Sequence, residues 1–81
     1  MELQDTIDLM KSSDFKDRFK SEYYQLKIRT ERLADMLDKY KAGTLGFTPK
    51  CSFEILDTQC GLMKAYLRIL KERASIEDIE L

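Results

Sequence analysis

At 81 residues, 43% of them hydrophobic and 36% charged, with one proline and three glycines, the chain has room for one small domain of helical composition. Fourteen basic against fifteen acidic residues leave a formal charge of −1, so no overall field draws in DNA, RNA or another polyanion. There is no histidine and no CxxC pair, which removes Ser/His/Asp and Cys/His catalysis and the common transition-metal ligand sets.

In chain order, Leu3, Ile7 and Met10 fall at i, i+4 and i+7 and predict a short amphipathic helix over 3–11. Its acids, Glu2, Asp5 and Asp8, fit neither a secretory signal nor a transit peptide. Ser13 or Asp14 can cap a second helix, which then runs over 14–41 without proline or glycine. At 100° per residue, Phe15, Phe19, Tyr23, Leu26, Thr30, Leu33, Leu37 and Tyr40 form one stripe, the expected core face. Residues 42–51, AGTLGFTPKC, hold two glycines and the only proline and form the one clear connection.

Ser52 can cap a third helix, predicted over 52–76, and 77–81 is left as a tail. Leu56, Cys60, Met63, Leu67, Leu70 and Ala74 make its core stripe, and a second row, Ile55, Leu62, Tyr66 and Ile69, lies beside it. That apolar arc is wider than one antiparallel neighbour covers. The fold expected is therefore all-α, a short N-terminal helix followed by an antiparallel hairpin of two long helices, assembling as a homo-oligomer, dimer or higher. Ile28, Ile55, Leu62 and Ile69 are the expected contacts between copies.

Cys51 and Cys60 lie nine residues apart, about 13 Å along a helix and beyond disulfide reach, so they are expected as free thiols. GTLG follows a helix rather than a strand and is not a phosphate-cradling loop, and neither a cofactor nor a metal is expected. Carboxylates such as Glu54, Asp57 and Glu72 fall mainly on solvated faces, which argues against acid/base catalysis. No run approaches the roughly 20 apolar residues of a membrane span, so a cytosolic protein is expected.

Binding chemistry is better represented. Tyr24 and Ile28 project on the side away from the core stripe beside Lys20 and Lys27, a cation and aromatic patch that suits either an oligomer contact or the stacking of a planar base. Along one edge of the stripe, Gln25, Arg29 and Arg32 face the groove shared with Gln59, Tyr66 and Arg73 of the last helix. Such arginines are commonly salt-bridged, here to Glu22, Glu72 or Glu77, but at a dimer seam they also make a pocket for a small anion. Tyr23, Tyr24, Lys27, Arg29, Tyr66 and Arg73 are the candidate ligand-binding residues. Lys16, Arg18, Lys20 and Lys27 are interrupted by Asp14, Asp17 and Glu22, which argues against a DNA or RNA surface.

Two spaced patterns carry a family resemblance. Glu22-x-x-Gln25-Leu26-x-x-Arg29-x-x-Arg32-Leu33, then Leu56-x-x-Gln59-x-x-x-Met63-x-x-Tyr66-x-x-Ile69-Leu70-x-x-Arg73, resemble small phage proteins first grouped through crAss-like phages. The resemblance covers about Asp14 to Ile76. That family is linked through its hairpin domain to phage anti-CBASS and anti-Thoeris sponge proteins. The resemblance implies a viral protein without catalysis, acting in the cytoplasm of the infected bacterium. It would sequester a cyclic oligonucleotide or cyclic ADP-ribose-type messenger between subunits of a helical oligomer. An alternative expectation is an adaptor or inhibitor that docks its exposed row, Ile55, Leu62, Tyr66 and Ile69, on a host or phage protein.

Overall fold

The computed structural model describes all 81 residues and contains helices and no strand. A 3-10 turn, Leu3–Thr6, leads into α1, Ile7–Lys11. It is followed by α2, Phe15–Ala42, and α3, Phe53–Ile76. Local chemistry sets each boundary. The Asp14 carboxylate accepts from the Lys16 N–H at 3.0 Å, and the Ser52 hydroxyl accepts from the Ile55 N–H at 3.2 Å, so each long helix starts on a side-chain cap. The end of α2 is Gly43 at φ 72°, a left-handed conformation that a residue without Cβ adopts freely.

The two long helices are antiparallel. Tyr40 near the end of α2 lies against Phe53 at the start of α3, ring centroids 5.4 Å apart. At the other end the Arg73 guanidinium sits 5.0 Å from the Phe19 ring centroid, and the Lys16 ammonium donates to the Asp78 carbonyl at 3.0 Å. The central core is Phe19, Tyr23, Leu70, Ala74 and Ile79, with Tyr24, Leu26 and Leu67 packed against it. Leu37 and Cys60 are buried farther toward the loop. Cys51 is exposed, and both thiols are free.

The N-terminal segment takes the opposite side of α2. Thr6 is buried, its carbonyl accepts from the Ser21 hydroxyl at 3.2 Å, and its own hydroxyl accepts from the Gln25 amide at 3.0 Å. Ser12 donates to Asp17 at 2.8 Å, and Glu2 reaches Arg32 at 3.7 Å, so the segment runs antiparallel along α2. Ser21, Gln25 and Arg32 are roughly half a turn away from Phe19, Tyr23 and Thr30, which leaves α2 flanked on both sides.

Three placements differ from the helical-wheel reading. Phe15 and Tyr40, at the extremes of the core stripe, are exposed, because the hairpin tapers at its ends. Tyr24 is half-buried rather than open: its ring meets Tyr23 edge-on at 5.1 Å and packs on the core. Ile28 is half-buried as well, on the side of α2 that the N-terminal segment flanks. The tail also contributes to the core. Asp78 turns left-handed at φ 55°, the Ile79 N–H bonds back to the Ala74 carbonyl at 2.8 Å, and Ile79 folds under as a buried residue. Only ten of 81 residues are buried, so the single chain is a thin slab, 43 × 24 × 17 Å, with much of α3 facing outward.

Candidate ligand-binding groove

Between α1 and the near edge of α3, one strip of α2 remains open. Arg18, Glu22, Gln25 and Arg29 succeed one another at i, i+4, i+7 and i+11, a spacing that lines them along one helix edge. With Met10, Ser21 and Leu26 they line a groove of about 360 Å³, within the size range of small-ligand sites.

The floor is held by a closed polar network. Gln25 donates to Thr6, to Ser21 at 3.2 Å and weakly to the Met10 sulfur at 3.9 Å, so its amide is fixed from three directions. No buried side-chain polar atom of the chain lacks a partner, so this base is fully hydrogen-bonded while the N-terminal segment stays docked.

Charge is less evenly matched. The ion pairs of the chain are Arg32 with Glu2, Lys39 with Asp35 and Arg73 with Glu77, and neither groove arginine belongs to one. Arg18 donates one bond, to the Ser12 carbonyl at 2.9 Å, and its remaining donors are uncommitted. Glu22, the one carboxylate of the lining, accepts the hydroxyl proton of Tyr66 from α3. That bond, reinforced by partial burial and by the Glu22 charge, raises the Tyr66 phenol above its ordinary value, while the Arg73 charge pulls weakly the other way. Tyr66 is therefore a neutral donor at physiological pH, and two guanidinium groups face the groove beside a single engaged carboxylate.

Of the sequence-derived site residues, Arg29 alone lines the groove, and Tyr66 reaches its rim through the hydroxyl bond to Glu22. Arg73 lies two turns along α3 from Tyr66, its Nε 3.0 Å from Glu77 and its plane over Phe19, which turns it away from this groove and leaves its two terminal nitrogens without a bond in the chain. Tyr23 is buried in the core, and Tyr24 and the half-buried Lys27 are carried on another side of α2. The expected six-residue patch is thus split. Gln25 and Arg32 face the N-terminal segment instead of α3, since Thr6 and Glu2 engage them. Reasoning from apolar stripes missed Met10, Arg18, Ser21 and Glu22, although the repeat of polar side chains at positions 18, 22, 25 and 29 was the available signal.

A protein-family model described as Sequestin matches residues 13–76, from just ahead of α2 to the last residue of α3. The chain belongs to the Sequestin family. Thus the Sequestin match spans the hairpin and leaves out residues 1–12, the segment that supplies Met10 to the groove. No curated protein and no solved structure matches the chain.

Proposed function

We propose that this Sequestin-family chain is a sponge: it binds a small anionic messenger of the cyclic nucleotide or cyclic ADP-ribose type and holds it without chemical change. The observation that carries the reading is the pair of guanidinium groups, Arg18 and Arg29, without carboxylate partners on the rim of a preformed groove. Guanidinium groups hold phosphate oxygens by charge-assisted, commonly bidentate bonds. The exposed ring of Tyr66, joined to the groove through its bond to Glu22, offers a planar surface, and base stacking on such a ring contributes about 1–3 kcal/mol.

Three further points support it. The family name denotes sequestration, and the resemblance to phage anti-CBASS and anti-Thoeris sponges covers the same hairpin. A local cluster suffices for a small anion, so a formal charge of −1 is no obstacle. Exposed apolar residues on α3 favour association of copies, through which an open groove becomes enclosed. The same reading puts the chain in the cytoplasm of an infected bacterium, countering a nucleotide-signalled defence. No helix of the chain is long and apolar enough to cross a membrane.

The test is a panel of cyclic dinucleotides, cyclic trinucleotides and cyclic ADP-ribose isomers, read by melting temperature and by chromatography of the ligand after release. A sequestering protein melts later with one of them, by mass action on the folded state, and returns it intact. Absence of any shift across the panel at high concentration, or recovery of a cleaved product, overturns the reading.

A further inference from the structure

The outward face of α3 carries a repeat that the hairpin does not use. Ile55, Leu62, Ile69 and Ile76 recur every seven residues and are 61%, 67%, 46% and 80% exposed. Gln59, Tyr66 and Arg73 fall between them, so the spacing alternates four and three from Ile55 to Ile76, the pattern of a two-helix seam. Gly61 stands beside this row inside the helix, where glycine weakens a helix relative to alanine. A Cβ at that position would meet nothing within 4 Å, so no neighbour in its own chain requires the glycine. With Thr58 and Ala65, it makes one flank of the row small enough for a second helix backbone to approach closely.

Charge decides the orientation. From Ile55 to Ile69 the row itself, Ile55, Gln59, Leu62, Tyr66 and Ile69, carries no charge, Arg68 lies on the flank seven residues beyond Gly61, and the ends carry Glu54 on one side and Glu72 and Arg73 on the other. In a parallel pair, each of these would face its own copy, like against like. In an antiparallel pair, Glu54 falls beside Arg73 of the partner subunit, and the helix dipoles oppose instead of adding.

We propose that two copies pair along this seam with their α3 helices antiparallel, in the register that sets Leu62 against Tyr66 of the partner subunit and Gln59 against Ile69 of the partner subunit. The two-fold axis then runs perpendicular to α3, and the edges bearing Tyr66 face the same way in both copies. Each copy's Tyr66 and Glu22 rim adjoins the other's, and the two grooves open onto one shared concave surface. The proposal rests on the self-association included in the proposed function and specifies its geometry.

Sedimentation equilibrium of the full chain tests it. The wild type is expected as a dimer, and Leu62→Glu, at an exposed position, weakens it roughly a hundredfold while helicity is kept. Ile55→Glu gives the same loss should the first variant fold poorly. Arg73→Glu weakens the dimer several-fold by facing Glu54, and adding Glu54→Arg restores it. Since positions 54 and 73 are about 29 Å apart along one helix, that rescue can only act between copies.

A wild type that stays monomeric at about 100 μM, a concentration at which even a modest dimer forms, overturns the pairing and leaves the row to a different protein partner. So does a dimer indifferent to Leu62→Glu, or an Arg73→Glu defect that Glu54→Arg does not repair. The nucleotide panel, read in parallel, keeps the two readings apart. A monomer that melts later with ligand removes only the pairing, and a dimer that never responds removes only the sequestration.

Discussion

Tyr66 links the two long helices through a proton it donates to Glu22, and its ionisation is the most sensitive single-residue probe of that junction. Because the folded phenol titrates above the ordinary tyrosine range near 10, its contribution to stability is fully present below that pH and is lost as pH rises through the higher folded value. Ultraviolet titration of tyrosinate is therefore expected to show one tyrosine ionising late, and Tyr66→Phe to abolish that late phase and flatten the alkaline fall in stability. On the proposed function, Arg29→Ala would remove a charge-assisted bond to the anionic messenger, an expected loss of about 1.5–3 kcal/mol, or roughly ten- to a hundredfold in Kd by calorimetry. Melting temperature without ligand should barely move, since Arg29 is exposed and in no ion pair.

Among the elements, α3 depends on its first turn and α1 on its polar underside. Ser52→Ala leaves the Ile55 amide without its cap, at about 1 kcal/mol in urea unfolding. Gln25→Leu removes the donor that the Thr6 and Ser21 hydroxyls accept from, while the Thr6 hydroxyl keeps its own bond to the Leu3 carbonyl, and is expected to cost about 0.5–1.5 kcal/mol, with the larger share felt as loosening of residues 3–11. The contrast between these two sites also measures what the sequence discloses. Caps at Asp14 and Ser52, the glycines of the connection and the apolar stripes made a helical hairpin legible, because each is a local signal with a local cause. The docking of the N-terminal segment was not legible: it is built from Thr6, Ser21 and Gln25, polar residues that a hydrophobic period passes over. Ile79 escaped for a related reason, since the turn that brings it back is made at Asp78 without a glycine to announce it. In the groove, Arg29 and Tyr66 could be read from their edge of the stripe, whereas the engagement of Glu22 by tyrosine rather than arginine depends on the register between helices.

For the molecule as a whole, the thin slab places few side chains out of reach of water, and the tail matters more than its length suggests. Ile79 closes one end of the main cluster over Phe19 and Ala74, so Ile79→Ala is expected to lose about 2–4 kcal/mol in denaturant unfolding, a large part of the stability of a chain this small.

A helix pinned between a polar layer on one flank and an apolar one on the other cannot open by shedding either alone. In amide hydrogen exchange, the 3-10 turn and α1 are therefore expected to exchange first, α3 to follow with global opening, and the middle of α2 around Tyr23 to Thr30 to retain protons longest. The spine of the protein would then remain ordered while its first eleven residues lift away and return, and access to the Met10 wall of the groove would follow the rhythm of that local opening.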